Sequence, residues 1–441
     1  MMFALLLSLF ALAAPLPLET VLTAVDDHLP ALAAQAAKLE AAEAKLLAAR
    51  GAFDPTLSGK TSRYDGSDSR SLSVLSVGGE TVLGPRWSAG IRQSEGYVKP
   101  YETELETGAD GEWFARAEVP LDGLILSDSR ARLLTAQQAV GIAGSVLDDK
   151  RLALRYKASS AYWKWVISGQ KAEIEQSQLD LASGRIAALT RQVEEGSAAE
   201  MDLIDGRQSL LERQARVINA RAEVDIAAQR LALYYRDDRG IPIKASAEQL
   251  PELTTPQSSP ELAALIEQAR SRPDLIALDH AIETARIALR QQQLALLPGA
   301  TVVGQVAEDV ALGKTEWLIG AEVKMPLLLR KARGSRSAAE AEQTRLEAER
   351  QWLLDQIDAE LSAAWMSAEA ARQQADLMAQ TVEQAQRVLG MEQTRYDLGG
   401  SDLFKIILRE DKLAEVRKYL ATAQADAQLR QAALRQAAGV Q

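Results

Sequence analysis

The sequence predicts a mainly α protein with a smaller β component, built as two structural repeats of long antiparallel helices with two strands each. Three observations carry that reading. A proline-framed helix, a strand-rich stretch and a long proline-free helical stretch occur in that order, and then occur again. The framing prolines keep their interval: Pro30 and Pro55 in the first copy and Pro273 and Pro298 in the second, each pair 25 residues apart. Both strand regions close on a Pro-Leu step, Glu118-Val119-Pro120-Leu121 and Lys324-Met325-Pro326-Leu327; no proline follows until Pro242 in the first copy, and none to Gln441 in the second. A duplication at this scale constrains architecture more than a single motif does. It divides the chain into a leader (1–13), a first repeat (14–235), a Pro-rich linker (236–260) and a second repeat (261–441).

The leader is an apolar run over residues 2–14, too short to cross a bilayer as a helix. It contains Ala11-Leu12-Ala13, the small-residue pattern of a signal peptide cut after Ala13; a buried N-terminal helix is the alternative. The chain has no cysteine, which excludes disulfides, thiolate chemistry and lipid attachment through cysteine. No later segment is apolar enough for a transmembrane helix, so an exported chain that enters a membrane must do so with strands. The net charge of −11 disfavours nucleic acid. It suits a conduit for cations, and equally a plain acidic surface.

Residues 121–235 and 327–438 have room for two antiparallel helices each. They are rich in Ala, Leu, Gln, Arg and Glu, with apolar residues at 3- and 4-residue steps such as Ile186, Leu189 and Val193. A 60-residue helix is about 90 Å long, beyond the diameter of a compact domain of this size, so an elongated chain is expected. Frequent alanines permit close, coiled-coil-like packing; a purely structural coiled coil is the bland alternative. Each stretch breaks once, at Gly196-Ser197-Ala198 and at Gly399-Gly400-Ser401, 203 residues apart. Glycine at a helix C′ position, with Ser or Asp capping the next helix, makes a tight turn between antiparallel helices. The turns are expected at one height, at the end away from the strands.

The strands show period-2 alternation. Trp317, Ile319, Ala321, Val323 and Met325 share one face of the second exit strand, opposite Glu316, Leu318, Gly320, Glu322 and Lys324. In the first copy Trp113, Ala115, Ala117 and Val119 oppose Glu112, Phe114, Arg116 and Glu118. The length is about the 9–11 residues that a tilted membrane strand needs, and Trp87, Tyr97, Tyr101, Trp113 and Trp317 are available as interfacial anchors. A soluble sheet with one solvated face alternates in the same way; the leader and the missing transmembrane helix favour the membrane. The partner strands are expected within 301–308 and 58–91. Four strands cannot close a barrel, but three chains supply twelve, so a trimeric 12-stranded membrane β-barrel follows. The first strand region carries an insertion of about 37 residues, read as loops with room for a further hairpin.

The chain resembles the TolC-type outer-membrane efflux family over essentially its whole mature length. The resemblance rests on Leu16-Pro17-Leu18-Glu19, on Gly51-Ala52-Phe53-Asp54-Pro55-Thr56-Leu57, on Arg272-Pro273-Asp274-Leu275, on the Pro-Leu strand exits and on Arg395-Tyr396 before Gly399. It implies a homotrimer whose β-barrel lies in the outer membrane of a Gram-negative-type cell, in contact with its lipid, and is continued by an α-barrel across the periplasm. It also implies passive export coupled, through a periplasmic adaptor (membrane fusion) protein, to an inner-membrane pump or type I secretion system. On this resemblance the adaptor meets Gly196, Ser197, Ala198, Gly399, Gly400 and Ser401. The family's acidic gate, six and nine residues past the second glycine, falls here on Lys405 and Leu408, a departure from the pattern. Asp202 and Asp205, three apart on one helix face, or Asp402 paired with Lys405, are the candidates for the constriction; the alternative is that they solvate or cap helix ends.

Chemistry is not expected. His28 and His280, one per copy and without cysteine, make no convincing metal site. The carboxylates are spread along helices, and no phosphate loop or ATP-binding signature is present, so neither an enzyme nor a cofactor is expected. The competing reading is a non-conducting periplasmic coiled-coil scaffold; a polysaccharide hydrolase on a helical stalk finds no catalytic constellation.

Overall fold

The computed structural model describes residues 14–65, 70–95, 110–197, 199–310 and 313–440. The leader 1–13, Tyr97, Tyr101 and Ala198 lie outside the described residues. The elements run α1 (Leu18–His28), α2 (Pro30–Arg50), β1 (Thr56–Tyr64), β2 (Arg70–Glu80), β3 (Arg86–Glu95), β4 (Glu112–Pro120), α3 (Gly123–Leu126), α4 (Asp128–Glu194) and α5 (Glu200–Leu231). They continue as α6 (Leu262–Ala269), α7 (Pro273–Leu294), β5 (Gly299–Asp309), β6 (Thr315–Lys324), α8 (Arg330–Asp397) and α9 (Leu403–Ala437).

Proline punctuates this order as the sequence suggests. Pro30 and Pro273 each open a helix, at the first position, where the missing N–H costs nothing and the ring pre-sets φ. Leu29, ahead of Pro30, is extended at ψ 117° and separates α1 from α2, because a residue before proline is pushed out of the helical region. Where proline is absent the helices run on, to 67 residues in α4 and 68 in α8.

The chain forms two compact units, each drawing on both halves of the sequence. One comprises the chain up to Gln35, Leu147–Pro273 and Leu354 onward. Its core joins α1, α4, α5 and α9 around Trp165 and Tyr162, with Val21, Val25, Val166 and Leu231 fully enclosed. Full burial of such side chains is worth about 1.5–3 kcal/mol each. The Tyr162 hydroxyl donates to the Leu16 carbonyl at 2.7 Å, tying the entry segment to α4. Residues 236–260 are a strap along this unit. Leu250 and Leu253 pack on the core, and the carbonyls of Thr254 and Pro260 accept from Gln428 at 2.9 Å and Trp365 at 3.0 Å.

The second unit comprises Ala36–Val146 and Asp274–Leu353. Here α7 meets α4 at Gly141, where an added Cβ would stand 2.4 Å from His280 Nε2, so only glycine admits the imidazole. His280 Nδ1 bonds Gln138 Oε1 at 2.7 Å. The histidine is thus a packing residue, and among the described residues no group of three acidic or histidine side chains is placed to hold a metal ion.

This unit also carries the sheet, an antiparallel meander in the order β1-β2-β3-β4-β5-β6. Among the described residues six strands replace the expected four: the insertion in the first copy folds as an additional hairpin, β2–β3, between β1 and β4. β6 ends at Lys324, so Met325 lies one residue beyond the strand. The two faces differ, most clearly in β4 and β6. One outward row crosses all six strands as Leu57, Val77, Ala89, Ala115, Val306 and Trp317. The inward row beside it reads Thr56, Gly78, Ser88, Arg116, Gln305 and Leu318. Outward Leu57, Trp317, Ile319 and Val323 are among the most exposed large apolar residues, at 68–77%. Inward, Arg92 and Glu112 form a buried ion pair, with the guanidinium 5.4 Å from the centre of the Phe114 ring.

Candidate functional site

The two breaks in the long helices have one backbone geometry. At the first, Ser197 N–H donates to the Gln192 carbonyl at 2.7 Å and Gly196 N–H to that of Val193 at 3.0 Å; at the second, Gly400 N–H donates to Arg395 at 2.8 Å and Gly399 N–H to Tyr396 at 2.9 Å. These are paired Schellman closures, which need a left-handed residue at C′. Gly196 and Gly399 supply it at φ 73° and 74°.

The entries to the next helices differ. Asp402 caps α9, accepting from the Lys405 N–H at 2.9 Å, and its other oxygen receives the Lys405 ammonium at 2.9 Å. The Lys405 side chain first, and then its backbone N–H, hold the Asp402 carboxyl below its ordinary range. Ser401 bonds Glu392. At the first turn the expected serine cap is absent: Ser197 Oγ turns back to the Gln192 carbonyl at 3.0 Å, and the N-cap of α5 is Ala199, which has no side-chain hydrogen bond to offer. Acidic Glu200 and Asp202 occupy its first turn instead, where the helix dipole favours negative charge.

A groove of about 730 Å³ brings the candidate carboxylates together. Asp202, Asp205 and Asp402 line it, with Ser197 from the first turn and Tyr396 and Phe404 from the second. Lys405 is not among its lining residues. The three acids therefore share one wall system, which Arg185 also lines, and among the described residues Asp402 is the one of the three with an ion-pair partner.

Below the turns, α9 is fastened to α4 and α5 by ion pairs that the sequence reading did not identify. One Arg185 nitrogen reaches both Glu410 oxygens at 2.7 Å. Arg213, 1% exposed, donates through Nη1 to the Gln178 carbonyl at 2.8 Å and side chain at 2.9 Å, and through Nη2 to Asp411 at 2.8 Å. Lys418 pairs with Glu175, which Arg216 also approaches at 3.4 Å. The available signal was a charge inside an apolar stripe: Glu410 stands between Ile406 and Leu413, and Arg213 precedes Val217, all buried.

No protein-family model matches the chain, and no curated protein matches it in sequence. Solved structures do match. The chain is similar to the outer-membrane channel OprN, at 16% identity and TM-score 0.68, over 96% of this chain and 90% of that one. It is similar to the outer membrane protein VceC of Vibrio cholerae, at 17% identity and TM-score 0.68, over 96% of both chains. It is also similar to the MtrE outer membrane channel of Neisseria gonorrhoeae in its open state, at 15% identity and TM-score 0.68, over 96% and 89%. The chain has the outer membrane factor fold, that of the TolC-type channels.

Proposed function

We propose that this protein is the outer-membrane exit duct of an efflux or secretion system: a homotrimer of duplicated halves, 14–235 and 261–441, through which cargo leaves the periplasm passively. The observation that carries this is the sheet. In β4 and β6 apolar residues take one face, Trp113, Ala115, Ala117 and Val119 in the first and Trp317, Ile319, Ala321 and Val323 in the second, opposite a face that carries Glu112, Arg116 and Glu118 and then Glu322 and Lys324. An outward apolar band around a polar lumen is what a strand barrel needs in lipid. The fold likeness supports the same reading, and none of the described helices is long and apolar enough to cross a membrane.

In this reading the turns at Gly196-Ser197 and Gly399-Gly400-Ser401 receive a periplasmic adaptor, which couples the duct to an inner-membrane pump. Their shared geometry supports that role, because a partner can then meet both halves of each chain through one kind of surface. Asp202, Asp205 and Asp402 form the acidic constriction that selects cations. Lys405 offsets Asp402, which leaves Asp202 and Asp205 to carry most of the field.

The test is conductance of the purified outer-membrane fraction in planar lipid bilayers. Cation-selective channels whose selectivity falls in Asp202→Asn/Asp205→Asn support the duct and its constriction. A soluble, non-conducting protein leaves the scaffold as the better description, and channels with unchanged selectivity remove the acidic constriction alone.

A further inference from the structure

Among the described residues the sheet is open in one chain: β1 pairs with β2 alone, β6 with β5 alone, and each edge strand has one side without a strand partner. Both edges, nine and ten residues long, lack proline and bulges, two of the usual guards against edge-to-edge pairing; the charges they carry, Lys60 and Arg63 on β1 and Glu316, Glu322 and Lys324 on β6, are mostly of opposite sign. With six strands, β1 and β6 run in opposite directions, so β6 of one chain can meet β1 of the next and keep every pairing antiparallel.

We infer that the edges close on one another between copies of this chain, and that the proposed trimer is therefore an eighteen-stranded barrel, not a twelve-stranded one. The inference rests on the proposed duct. What it adds is the seam and its register. The inward row that starts at Thr56, the first residue of β1, meets β2 two residues from its Glu80 end and β3 two residues from its Arg86 start. It then lies four residues from the Pro120 end of β4, and six from the Gly299 start of β5 and the Lys324 end of β6. The row climbs six residues over five steps, a little more than one residue per strand. At a rise of about 3.4 Å and a spacing of about 4.8 Å, that is a tilt of roughly 35–40°, the slope of membrane barrels.

A seam without a further step, like the β2–β3 and β5–β6 pairings, sets Thr56 of one chain opposite Lys324 of the next, and all nine residues of β1 find partners. The faces then agree. Outward, Leu57 meets Val323, Gly59 meets Ala321, Thr61 meets Ile319, and Arg63 lies over Trp317, where a cation–π contact is available. Inward, Ser58 meets Glu322, and Lys60 stands diagonal to the same carboxylate. Lys60 makes no ion pair among the described residues, whereas Glu322 has only its neighbour Lys324. Eighteen tilted strands enclose a diameter of about 34 Å, against about 22 Å for twelve. The lumen is of porin width and admits correspondingly larger cargo.

The absence of native cysteine makes the seam directly testable. Ser58→Cys combined with Glu322→Cys, oxidised in outer membranes, is expected to give covalent dimers and trimers of the chain, while Ser58→Cys with Leu318→Cys, four residues out of register, is expected to stay monomeric in denaturant. A strand count on the unmodified protein by electron cryomicroscopy is expected to give eighteen. Twelve strands, a covalent series ending at the dimer, or a silent in-register pair in a protein that still conducts would overturn the seam and leave the duct standing. Absence of the protein from the outer membrane overturns the duct, and with it the seam.

Discussion

Asp411→Ala and Arg213→Met break the same ion pair from opposite ends, and the ends are not equivalent. The Arg213 side chain is 1% exposed and that of Asp411 53%. Removing the aspartate leaves a buried guanidinium held only by the Gln178 carbonyl and side chain, and stripping one partner from a buried pair costs about 3–5 kcal/mol. Removing the arginine takes the buried charge away and keeps most of the volume. Asp411 returns to water, and the main loss is a Gln178 oxygen without its donor, about 1–2 kcal/mol once relief of the guanidinium desolvation is counted. The double variant should match Arg213→Met. Hydrogen exchange of the α5 and α9 amides reads these values as local opening. Roughly a hundred- to several-thousand-fold acceleration is expected for Asp411→Ala, against roughly five- to thirty-fold for Arg213→Met. Arg213→Met proving as damaging as Asp411→Ala would refute the reasoning that burial of the charge, not the contact itself, sets the cost.

Gly399→Ala isolates a backbone effect, because nothing lies within 4 Å of an added Cβ while φ is 74°; the last turn of α8 should loosen by about 1 kcal/mol, seen as faster exchange there. The Asp402 carboxyl is held below its ordinary range by Lys405, so its contribution is present above the unfolded pKa of about 4 and is lost as pH falls through the lower native value. Protection in the first turn of α9 should therefore be level from neutral pH to about 4 and fall below it, and Asp402→Asn should abolish the step. Ile319→Lys puts a charge on the outward face of β6 and should cost about 2–4 kcal/mol in lipid, whereas inward Leu318→Lys should be tolerated; the fraction of heat-modifiable folded protein in outer membranes reports both.

The framed helices, the two helical breaks and strands β4 and β6 were legible in the sequence because each carries a local signal: a proline at N1, a glycine at C′, an unbroken alternation. β2 was not, although it is apolar enough. Leu72 and Val74 fall on its inward face and Leu75 and Val77 on its outward face, so the alternation changes phase midway. Serine at every intervening position hides the switch further. The helix-to-helix ion pairs were out of reach for a different reason. Their partners stand 198 residues apart for Arg213 and Asp411 and 225 for Arg185 and Glu410, and no spacing rule links such positions. A lone charge in an apolar stripe announces a buried ion, but not its counter-ion. The acidic groove was half legible, since Asp202 and Asp205 share a face by spacing, whereas Asp402 joins them only through tertiary packing.

The most direct test is an electron cryomicroscopy map of the full chain in lipid nanodiscs. Strands crossing the bilayer, with Trp317, Ile319 and Val323 turned to lipid and Arg92 and Glu112 turned to the lumen, are the expected result. A sheet standing clear of the bilayer, or a particle that leaves the nanodisc altogether, would contradict the account at its centre.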